Sequence, residues 1–559
     1  MTICAAPAVE QARLDDLRRD SPSSFGAMFL RRAARTPDDV AYRRPGSEGG
    51  WIAQTWAETA SAVREIAAGL ITLGLRPEDR VAIASGTSVE WIEVDFGVMC
   101  AGGATTTVYP SSSAEEVAHI LTDSGSRFAF VADAAQEAKV GPHVERVFRM
   151  DGLGELRAAG REALAADPEL VRRTTDAVGP DDLATLIYTS GTTGLPKGVR
   201  ITHGAWVYQG LAIQAMGFLR TDDVGYLWLP LSHAFGKALL SCQLSVGFEF
   251  AVDGDVSRIV QRLTEVRPTI MPAVPRIFEK VYAGVGASVG GGLKGRLFAW
   301  AVKAGHRNVL ADRLVLSKVR ARFGGRMRFF ISGAAALSPD IAAWFGAVGL
   351  PIAEGYGMTE TCATTVFNRP DAPEYGTVGR PLPGTDVRIA EDGEVLLRGP
   401  GIMSGYHGLD SGETLVDGWL HTGDIGEITE SGSLRITDRK KDLIKTSNGK
   451  YVAPQAIEAR FKAICPAASQ ILIHGDGRKY ITALIDLDPE ITRTPEVEAE
   501  VAACVERLNA GLNPWETVKR FLILDEHLDV ESGLLTPSMK LRRRKAEERY
   551  RSRLDGLYT

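Results

Sequence analysis

The first half of the chain alternates short apolar runs, rich in β-branched residues, with longer helical patterns. Between residues 81 and 274 this alternation predicts βαβ units and a largely parallel sheet. The predicted helices are 88–102, 112–124 and 256–266, the second beginning with a capping box of Ser112 and Glu115. The predicted strands are 81–85, 105–109, 128–131, 184–189, 226–229 and 270–274.

Beyond residue 385 the apolar runs become shorter and are separated by turns, which predicts an antiparallel region. The charged stretch 438–442 then interrupts the pattern and is a candidate domain boundary because its residues are expected to be solvated. The pattern that follows (strand, helix, strand, strand, helix, strand) predicts a small α+β domain. The glycine-rich segment 284–295 is predicted to be a flexible loop, and it lacks the third glycine of a dinucleotide-binding fingerprint.

Length and composition narrow the class of protein. A chain of 559 residues exceeds the size of one hydrophobic core, so two or more domains are expected. The net charge of -6 disfavours nucleic acid as a partner, and six scattered cysteines indicate neither a zinc site nor a disulfide framework. No secretory signal is evident, so we expect a cytoplasmic protein. The longest uncharged apolar run, 341–353, is shorter than the roughly 20 residues that span a bilayer, so membrane contact would be peripheral.

The sharpest candidate site is a loop rich in glycine and hydroxyl residues that directly follows an apolar strand. Its glycines allow a tight turn whose N–H groups point inward, and its hydroxyls and one lysine add donors and charge. This combination predicts a polyphosphate cradle, although a solvent-exposed turn is the alternative, and the spacing is not that of a Walker loop. The residues concerned are Thr189, Ser190, Gly191, Thr192, Thr193, Gly194 and Lys197.

The loop resembles the phosphate-binding motif of the adenylate-forming superfamily, which includes acyl-CoA synthetases, adenylation domains and firefly luciferases. Further stretches that resemble motifs of this superfamily follow in order at 229–233, 275–281, 355–360, 421–424 and 436–445. The stretches 275–281 and 438–442 look most like the long-chain fatty acyl-CoA synthetase branch. The resemblance implies an α/β protein: a large N-terminal domain of several subdomains and a small C-terminal α+β lid.

The resemblance also implies roles for single residues of the nucleotide site. Tyr356, which precedes Gly357, would stack on the adenine, Thr359 would contact the α-phosphate, and Glu360 would hold Mg²⁺. A carboxylate suits a hard cation that bridges phosphate oxygens. Outside the family context, Tyr356 and Gly357 could be a buried turn, and Thr359 and Glu360 a helix cap.

Three further residues are assigned to substrate binding by the same resemblance. Asp424 and Arg439 would contact the ribose, and His233 would line the acyl pocket. His233 is expected to bind and not to act as a general base, because a carboxylic acid is already ionised at neutral pH. The alternatives are an ordinary β-turn at Asp424, a charged linker at Arg439 and a structural histidine.

Two lysines would divide the chemistry between two half-reactions. Lys540 would stabilise adenylation and Lys445 the thiol transfer, after the lid rotates about Lys441. The implied domains are 1–437, a hinge at 438–441 and a lid at 442–559. Without the resemblance, Lys540 is a surface lysine beside the basic stretch 541–553, a solvated face that could also contact CoA phosphates or an anionic membrane.

The implied activity is that of a long-chain fatty acid–CoA ligase, with ATP and CoA as co-substrates and Mg²⁺ as cofactor. A fatty acyl-AMP ligase that delivers the acyl group to a carrier protein would use the same motifs. A luciferase-like oxygenase and a non-catalytic sensor are less favoured, the sensor because Lys540 and Glu360 are both present. The sequence departs from the family pattern in two places: the segment 406–419 lacks the Pro-Glu pair typical of the family, and the first ~70 residues match only loosely. A homodimer contact and the details of the acyl entrance are therefore undecided at this point.

Overall fold

The structure of the protein, a computed structural model, describes residues 3–189, 195–290, 292–536 and 539–559. The strands are β1 Ile3–Cys4, β2 Val40–Pro45, β3 Trp51–Thr55, β4 Arg80–Ala84, β5 Ala104–Val108, β6 Phe128–Val131, β7 Arg146–Arg149, β8 Leu183–Thr189, β9 Lys197–Thr202, β10 Val224–Leu227, β11 Glu249–Val252, β12 Ile270–Ala273, β13 Phe329–Ser332, β14 Ile352–Tyr356, β15 Val366–Phe367, β16 Arg380–Pro381, β17 Asp386–Ile389, β18 Glu394–Arg398, β19 Gly405–Tyr406, β20 Leu415–Val416, β21 Trp419–Ile428, β22 Leu434–Arg439, β23 Ile444–Lys445, β24 Tyr451–Val452, β25 Ala468–His474, β26 Ile481–Leu487 and β27 Val518–Ile523.

The helices lie mainly between these strands, which is the connectivity of an α/β fold. They are α1 Ala8–Arg18, α2 Phe25–Arg35, α3 Trp56–Thr72, α4 Val89–Cys100, α5 Ala114–Ser124, α6 Ala134–Val140, α7 Gly154–Ala166, α8 Leu170–Asp176, α9 His203–Met216, α10 Ala234–Val246, α11 Ile259–Val266, α12 Pro275–Val289, α13 Gly292–Ala304, α14 Val309–Ala311, α15 Ser317–Ala321, α16 Pro339–Val348, α17 Pro454–Ile464, α18 Pro495–Asn509, α19 Arg543–Arg549 and α20 Arg551–Gly556.

Three sheets form the N-terminal part of the molecule. The first has the order β19-β9-β8-β5-β4-β6-β7 and is parallel from β8 to β7. The second has the order β16-β15-β14-β13-β12-β10-β11-β2-β3 and is parallel from β14 to β2. The third, built from β1, β17, β18 and β20 to β22, is antiparallel. The predicted α/β class and the antiparallel region after residue 385 are therefore confirmed.

Side-chain hydrogen bonds join the first two sheets at the carboxyl ends of their strands. The hydroxyl of Thr87, after β4, donates to the carbonyl of Leu229 at 2.7 Å, and the hydroxyl of Thr107 in β5 donates to the carbonyl of Ser232 at 2.9 Å. Loops at the carboxyl ends of parallel strands meet at one edge of a sheet, where ligands of open α/β sheets bind. These bonds hold the loop before α10 at that edge.

The C-terminal part has its own hydrophobic cores. One is formed by β23 to β27, α17 and α18, and it includes Ile444, Phe461 and Val505. A second packs Leu472 and Leu484 against the terminal helices, including Tyr550. The main core of the N-terminal part is a separate cluster. The order of elements matches the predicted small α+β domain, with an added β23–β24 hairpin and the short helices α19 and α20.

Three local predictions were wrong. The segment 284–295 is not a loop, since α12 extends to Val289 and α13 begins at Gly292; Pro275 at the first turn starts α12, and packing outweighs the low helix propensity of glycine. The cap of α5 is Ser113, whose hydroxyl accepts the N–H of Glu116 at 3.2 Å, and not Ser112.

The third error concerns the charged stretch 438–442, which is only partly solvated. Asp438 is buried, and burial raises the pKa of its carboxyl to about 7. Its Oδ2 atom accepts the N–H of Gln455 at 3.1 Å, at the start of α17. The domain limits at 437 and 442 and the hinge stay predictions. No helix in the described ranges is long and apolar enough to cross a membrane.

Candidate active site

The last residue of β14 and the loop after it carry four of the predicted site residues. Gly357 follows Tyr356, and a Cβ atom at Gly357 would lie 1.6 Å from the carbonyl oxygen of Ala363, so only glycine fits this close backbone approach. Thr359 and Glu360 form a buried 3₁₀ turn just after it. The chain reverses immediately, with the left-handed angle φ +79° at Ala363. The turn therefore holds Thr359 and Glu360 in one fixed arrangement.

Tyr356, Asp424 and Arg439 form one hydrogen-bonded group. The Tyr356 hydroxyl donates to Oδ2 of Asp424 at 2.7 Å, and Nε of Arg439 donates to Oδ1 at 3.1 Å. Asp424 and Arg439 are direct partners in the register of β21 and β22, which explains why residues 15 apart meet. Each carboxylate oxygen keeps acceptor capacity beyond these bonds. Asp424 can therefore accept ribose hydroxyls while Tyr356 and Arg439 hold it in place.

Glu360 has a partner that the sequence did not indicate. The hydroxyl of Tyr406 in β19 donates to Oε1 of Glu360 at 2.9 Å. The ammonium group of Lys197 lies 5.2 Å from the centre of the Tyr406 ring, close enough for a cation–π contact. The tyrosine thus links the lysine of the predicted phosphate loop to the predicted metal ligand.

Glu360 fits the predicted role of holding Mg²⁺. This ion binds through one or two carboxylates and completes its shell with water and substrate phosphates. Within the described parts of the chain, no group of three or more His, Cys, Asp and Glu side chains is arranged to hold a metal. The single carboxylate of Glu360 is compatible with an ion that is also held by nucleotide phosphates.

Only the two ends of the predicted phosphate loop lie in the described part of the chain. Thr189 ends β8 and Lys197 begins β9, and the two residues pair directly in an antiparallel register. The carbonyl of Pro196, one residue before Lys197, accepts a hydrogen bond from Nε2 of His119 at 2.9 Å. The predicted ligands Ser190, Gly191, Thr192, Thr193 and Gly194 lie outside the described residues.

His233 caps α10 and lines a cleft. Its Nδ1 atom accepts the N–H of Phe235 at 3.1 Å. Burial and the nearby charge of Lys540 lower the pKa of His233 to about 3. The neutral ring therefore carries its proton on Nε2, which can donate to a substrate oxygen. The cleft is mainly apolar and is also lined by Phe235, Gly333, Gly357, Met358 and Phe367.

Lys540 of the lid lies at this site. Its loop is closed by two bonds with Thr536, whose N–H donates to the carbonyl of Lys540 at 2.8 Å and whose hydroxyl accepts the N–H of Lys540 at 3.0 Å. Lys540 is exposed to solvent, yet surrounding protein atoms and the charge of Arg439 lower the pKa of its ammonium group to about 8. Asp424 and Glu360 oppose that shift, which places all four groups within electrostatic reach of one another.

Lys445 lies elsewhere on the lid. It is exposed in the β23–β24 hairpin, where its ammonium group is 5.5 Å from the ring centre of Tyr451 and its N–H donates to Asp476 at 3.0 Å. Neither contact involves a residue of the nucleotide site. The structure thus brings Lys540, but not Lys445, to the Glu360 and Asp424 cluster.

Ion pairs connect the lid to the N-terminal part in this arrangement. Asp488, just after β26, accepts from Arg276 at 2.9 Å and lies 3.3 Å from Lys280, both in α12. Arg542, two residues after Lys540, donates to Glu116 in α5 at 2.7 Å. Both connections are partly buried, so solvent screens them less than surface pairs.

Comparison with known proteins agrees with this geometry. The family model described as AMP-binding enzyme matches residues 29–407, and the model described as AMP-binding enzyme C-terminal domain matches residues 441–559. The chain belongs to the AMP-binding enzyme family. The predicted resemblance to the adenylate-forming superfamily and its long-chain acyl-CoA synthetase branch is thereby confirmed.

Relatives of this AMP-binding enzyme cover nearly its whole length. It is 34% identical to the long-chain-fatty-acid–CoA ligase FadD15 of Mycobacterium bovis, over 96% of this chain and 97% of the relative. Its fold is similar to the adenylation domain of a carboxylate reductase from Mycobacterium chelonae, with a TM-score of 0.76 and 22% identity over 99% and 98% of the two chains. It is also similar to o-succinylbenzoate CoA synthetase of Bacillus subtilis in complex with ATP and magnesium ion, with a TM-score of 0.70 and 22% identity over 93% and 98%.

The sequence of this AMP-binding enzyme did not indicate the residues that contact a predicted site residue or motif from a distant part of the chain. Tyr406 lies 46 positions from Glu360, and Asp488 lies 212 positions from Arg276, so no local spacing indicates either contact. One weak signal for Tyr406 was present, since the segment that begins there departs from the family pattern. Arg276 belongs to a family-like motif, although its partner could not be named from sequence.

Replacing Tyr406 with phenylalanine is expected to weaken adenylation about 10-fold to 150-fold, because a hydrogen bond to a charged group contributes about 1.5 to 3 kcal/mol while the ring stays in place under Lys197. Pyrophosphate release, titrated with magnesium, measures the effect. The Glu360→Gln variant is the comparator and should raise the magnesium requirement further, since it removes an anionic ligand. Equal magnesium requirements in wild-type enzyme and both variants would contradict the assigned metal site.

The pKa of Lys540 predicts a pH dependence for adenylation. Below about pH 8 the side chain is charged, and above that pH it loses its proton, so kcat/KM for ATP should fall as pH rises through 8. The Lys540→Arg variant keeps its charge throughout the accessible range and should lose this descending limb, even if its overall rate is lower. Initial rates of pyrophosphate release across the pH range test this. If kcat/KM of the arginine variant still falls above about pH 8, the fall is caused by the titration of another group.

Removing the Asp488 charge should favour release of the lid. The Asp488→Asn variant is expected to lower adenylation about 2-fold to 5-fold. Losing about 1 kcal/mol of stabilisation of the present lid position shifts the equilibrium between this position and a released one by about that factor. Thioester formation from supplied acyl-adenylate should be unchanged or faster. Stopped-flow measurements of the two half-reactions compare it with Asp525→Asn, a lid control whose partners, Arg493 and Arg553, are also on the lid. An equal loss in both half-reactions would show that Asp488 has no role in lid position.

Proposed function

We propose that the chain is a long-chain fatty acid–CoA ligase. It activates a fatty acid with ATP to acyl-AMP and pyrophosphate, and then transfers the acyl group to CoA, giving acyl-CoA and AMP. The observation that carries the proposal is that Lys540 lies within electrostatic reach of Glu360, Asp424 and His233, and that His233 lines an apolar cleft. The ligase name of a relative that is 34% identical over 96% of the chain supports the substrate class.

In the first half-reaction a carboxylate oxygen of the fatty acid attacks the α-phosphorus of ATP. The new bond joins that oxygen to phosphorus, and the bond from the α-phosphorus to the bridging oxygen breaks, so pyrophosphate leaves with the electron pair. Lys540 places a positive charge where the α-phosphate oxygens gain negative charge, and Nε2–H of His233 orients the carboxylate. Asp424 holds the ribose, and Thr359 contacts the α-phosphate. Mg²⁺ bound at Glu360 would neutralise charge on the leaving pyrophosphate.

The second half-reaction requires a different set of groups. The sulfur of CoA attacks the acyl carbonyl carbon, the thiol proton is lost, and AMP leaves as the acyl carbon–oxygen bond breaks. We place Lys445 at this step, after rotation of the lid 442–559 against the domain 1–437 about a hinge at 438–441. Contacts of the hinge support this: Lys440 pairs with Asp392 at 2.6 Å on the N-terminal side, and Asp442 accepts from Gln455 at 3.0 Å on the lid, with exposed Lys441 between them.

Product analysis tests the function directly. Purified chain is supplied with ATP, magnesium and a series of fatty acids from C8 to C20, together with either CoA or a carrier protein bearing phosphopantetheine. We expect acyl-CoA, AMP and pyrophosphate in equal amounts, with the highest turnover for long chains. Acyl-AMP that accumulates with CoA but transfers to the carrier protein would replace the proposal with an acyl-AMP ligase. Light emission or oxygen consumption would indicate an oxygenase.

The location of the enzyme follows from the same substrate. Long-chain fatty acids partition into bilayers, since each buried methylene contributes about 0.8 kcal/mol. We therefore propose a cytoplasmic enzyme with peripheral contact to a membrane.

A further inference from the structure

A surface region of the second sheet's helical layer exposes an unusual number of large apolar side chains. It consists of α13, α14, the π-helical turn Asp312–Leu316 and α15, and we call it the α13–α15 surface. Among the described residues, six of the 16 exposed large hydrophobic side chains lie within its first 23 positions, with exposures between 43% and 86%. They are Leu293, Leu297, Trp300, Val309, Leu310 and Leu314.

The exposed side chains of α13 lie on one face. At 100° per residue, Leu293, Leu297 and Trp300 fall within about 60° of one another around the helix axis. Phe298 and Val302 lie on the opposite side and pack against the main core. Thus α13 has two apolar faces, and the protein covers only one of them. A contiguous apolar face of this kind marks a site of interaction, whereas scattered exposed hydrophobic residues do not.

The charges around this face are of one sign. Between residues 292 and 322 there are eight basic residues and a single acidic one, Asp312, in a chain whose net charge is -6. Arg320 is paired with Asp312 at 2.6 Å. The other seven form no ion pair with any residue in the described ranges, and they are exposed: Lys294, Arg296, Lys303, Arg307, Arg313, Lys318 and Arg322.

We propose that the α13–α15 surface docks the enzyme on an anionic lipid bilayer. Leucine and tryptophan side chains on one face of a helix, flanked by lysine and arginine, match both parts of such a surface: the acyl boundary takes the apolar side chains and the anionic headgroups take the charges. A nucleic acid would pair with the basic side chains but would leave the leucines exposed to water. A second copy of this chain would bring the same seven positive charges against themselves if the two copies met through this face.

The other basic stretch of the chain, 541–553, fits a bilayer less well. Arg542, Arg543 and Arg549 are paired with Glu116, Glu458 and Glu526. Their charges are therefore balanced within the protein, and Arg542 belongs to the contact that holds the lid. The sequence suggested this stretch as a membrane contact, whereas the structure favours the α13–α15 surface.

The position of the surface relates it to the active site. α12 begins at Pro275, directly after β12, and β12 pairs with β13, whose end contributes Ile331 and Ser332 to the cleft. α12 then leads to the start of α13. A single helix, α12, therefore connects the edge of the sheet that lines the cleft to the docking surface in sequence. Docking goes beyond the ligase proposal, because it does not depend on which acid the cleft accepts.

Vesicle binding by the full chain tests the docking surface. Partition is measured by flotation with vesicles of phosphatidylcholine alone and with vesicles that also contain phosphatidylglycerol. We expect binding to the anionic vesicles that weakens as salt is raised, and little binding to phosphatidylcholine alone. The triple variant Leu293→Gln, Leu297→Gln, Trp300→Gln should lower the partition coefficient at least about tenfold, because the buried apolar area sets the binding strength.

A matched control changes exposed apolar residues elsewhere on the molecule. The variant Ile52→Gln, Val416→Gln, Trp515→Gln replaces side chains that are 49%, 39% and 40% exposed, and it should bind vesicles like the wild-type enzyme. Both variants should keep wild-type pyrophosphate release with octanoate, a water-soluble acid. Equal partition of the two variants would overturn the proposal, as would a change from dimer to monomer in the first variant without a change in vesicle binding. Flotation does not require catalysis, so it tests the docking surface even if no fatty acid supports ligase activity.

Discussion

Replacing Lys540 with alanine is expected to lower the rate of acyl-adenylate formation about 100-fold to 1,000-fold, because a preorganised charge at a developing anion contributes roughly 3 to 4 kcal/mol. The structure places the Lys540 ammonium group within electrostatic reach of Glu360, Asp424 and Arg439, and we propose that it contacts the α-phosphate of a bound nucleotide. Single-turnover release of pyrophosphate measures this step. Given preformed acyl-adenylate, the same variant should still produce the thioester at a rate close to that of wild-type enzyme.

Lys445→Ala is the matched control, since both lysines are exposed residues of the lid. It should show the opposite behaviour, with normal pyrophosphate release, accumulation of enzyme-bound adenylate and little thioester. The reason is positional: the β23–β24 hairpin makes its contacts with Tyr451 and Asp476 in this arrangement, and it reaches the site only if the lid rotates. Finding both variants defective in the same half-reaction would falsify the rotating-lid mechanism.

The α/β core could be predicted from sequence because its parallel strands are buried on both faces. Such strands appear as continuous apolar runs between helical patterns, so β4, β5 and β6 were located to within one residue. Prediction failed where tertiary packing decided the outcome. The glycines of 284–295 suggested a loop, but Val285 packs into the main core and stabilises α12 around them. Two adjacent serines could each cap α5, and only the structure selects Ser113.

The candidate site was predictable where one short motif carries the chemistry and hidden where two distant segments meet. Thr359, Glu360 and Asp424 could be named because each lies in a motif with a recognisable composition. The Tyr406 hydroxyl at Glu360 could not, because it depends on β19 pairing with β9 next to the predicted phosphate loop. The same holds for Asp488 and Arg276, whose contact joins the C-terminal domain to α12 across 212 positions of sequence.

A buried ion pair beneath the site gives the largest expected effect on stability. Nζ of Lys237 in α10 lies 2.7 Å from Oδ1 of Asp95 in α4, and both side chains are fully buried. Burial lowers the pKa of Lys237, and the neighbouring Asp95 opposes that shift. Thr105 also donates to Oδ1 of Asp95 at 2.7 Å. Without Lys237, the buried carboxylate of Asp95 would keep one hydrogen bond among the described contacts, the one from the hydroxyl of Thr105.

We therefore expect Lys237→Met to lower the free energy of unfolding by about 3 to 5 kcal/mol, the cost of leaving one buried charge unpaired. Urea unfolding followed by tryptophan fluorescence measures this, and two of the nine tryptophans, Trp91 and Trp206, have rings 5.9 Å and 5.5 Å from Nζ of Lys237. Adding Asp95→Asn should recover a large part of the loss, because the partner then carries no charge.

The matched control is Arg435→Met, which breaks the pair of Arg435 with Glu427, where the two side chains are 47% and 57% exposed. This variant should lose less than about 1 kcal/mol, because solvent screens an exposed pair. Two results would contradict this explanation. One is a loss of unfolding free energy in Lys237→Met no larger than in Arg435→Met, and the other is no recovery of stability when Asp95→Asn is added. Because α10 begins beside His233, unfolding around Lys237 would also release the histidine from the cleft. The stability of this pair and the geometry of the acyl site are therefore linked through one helix.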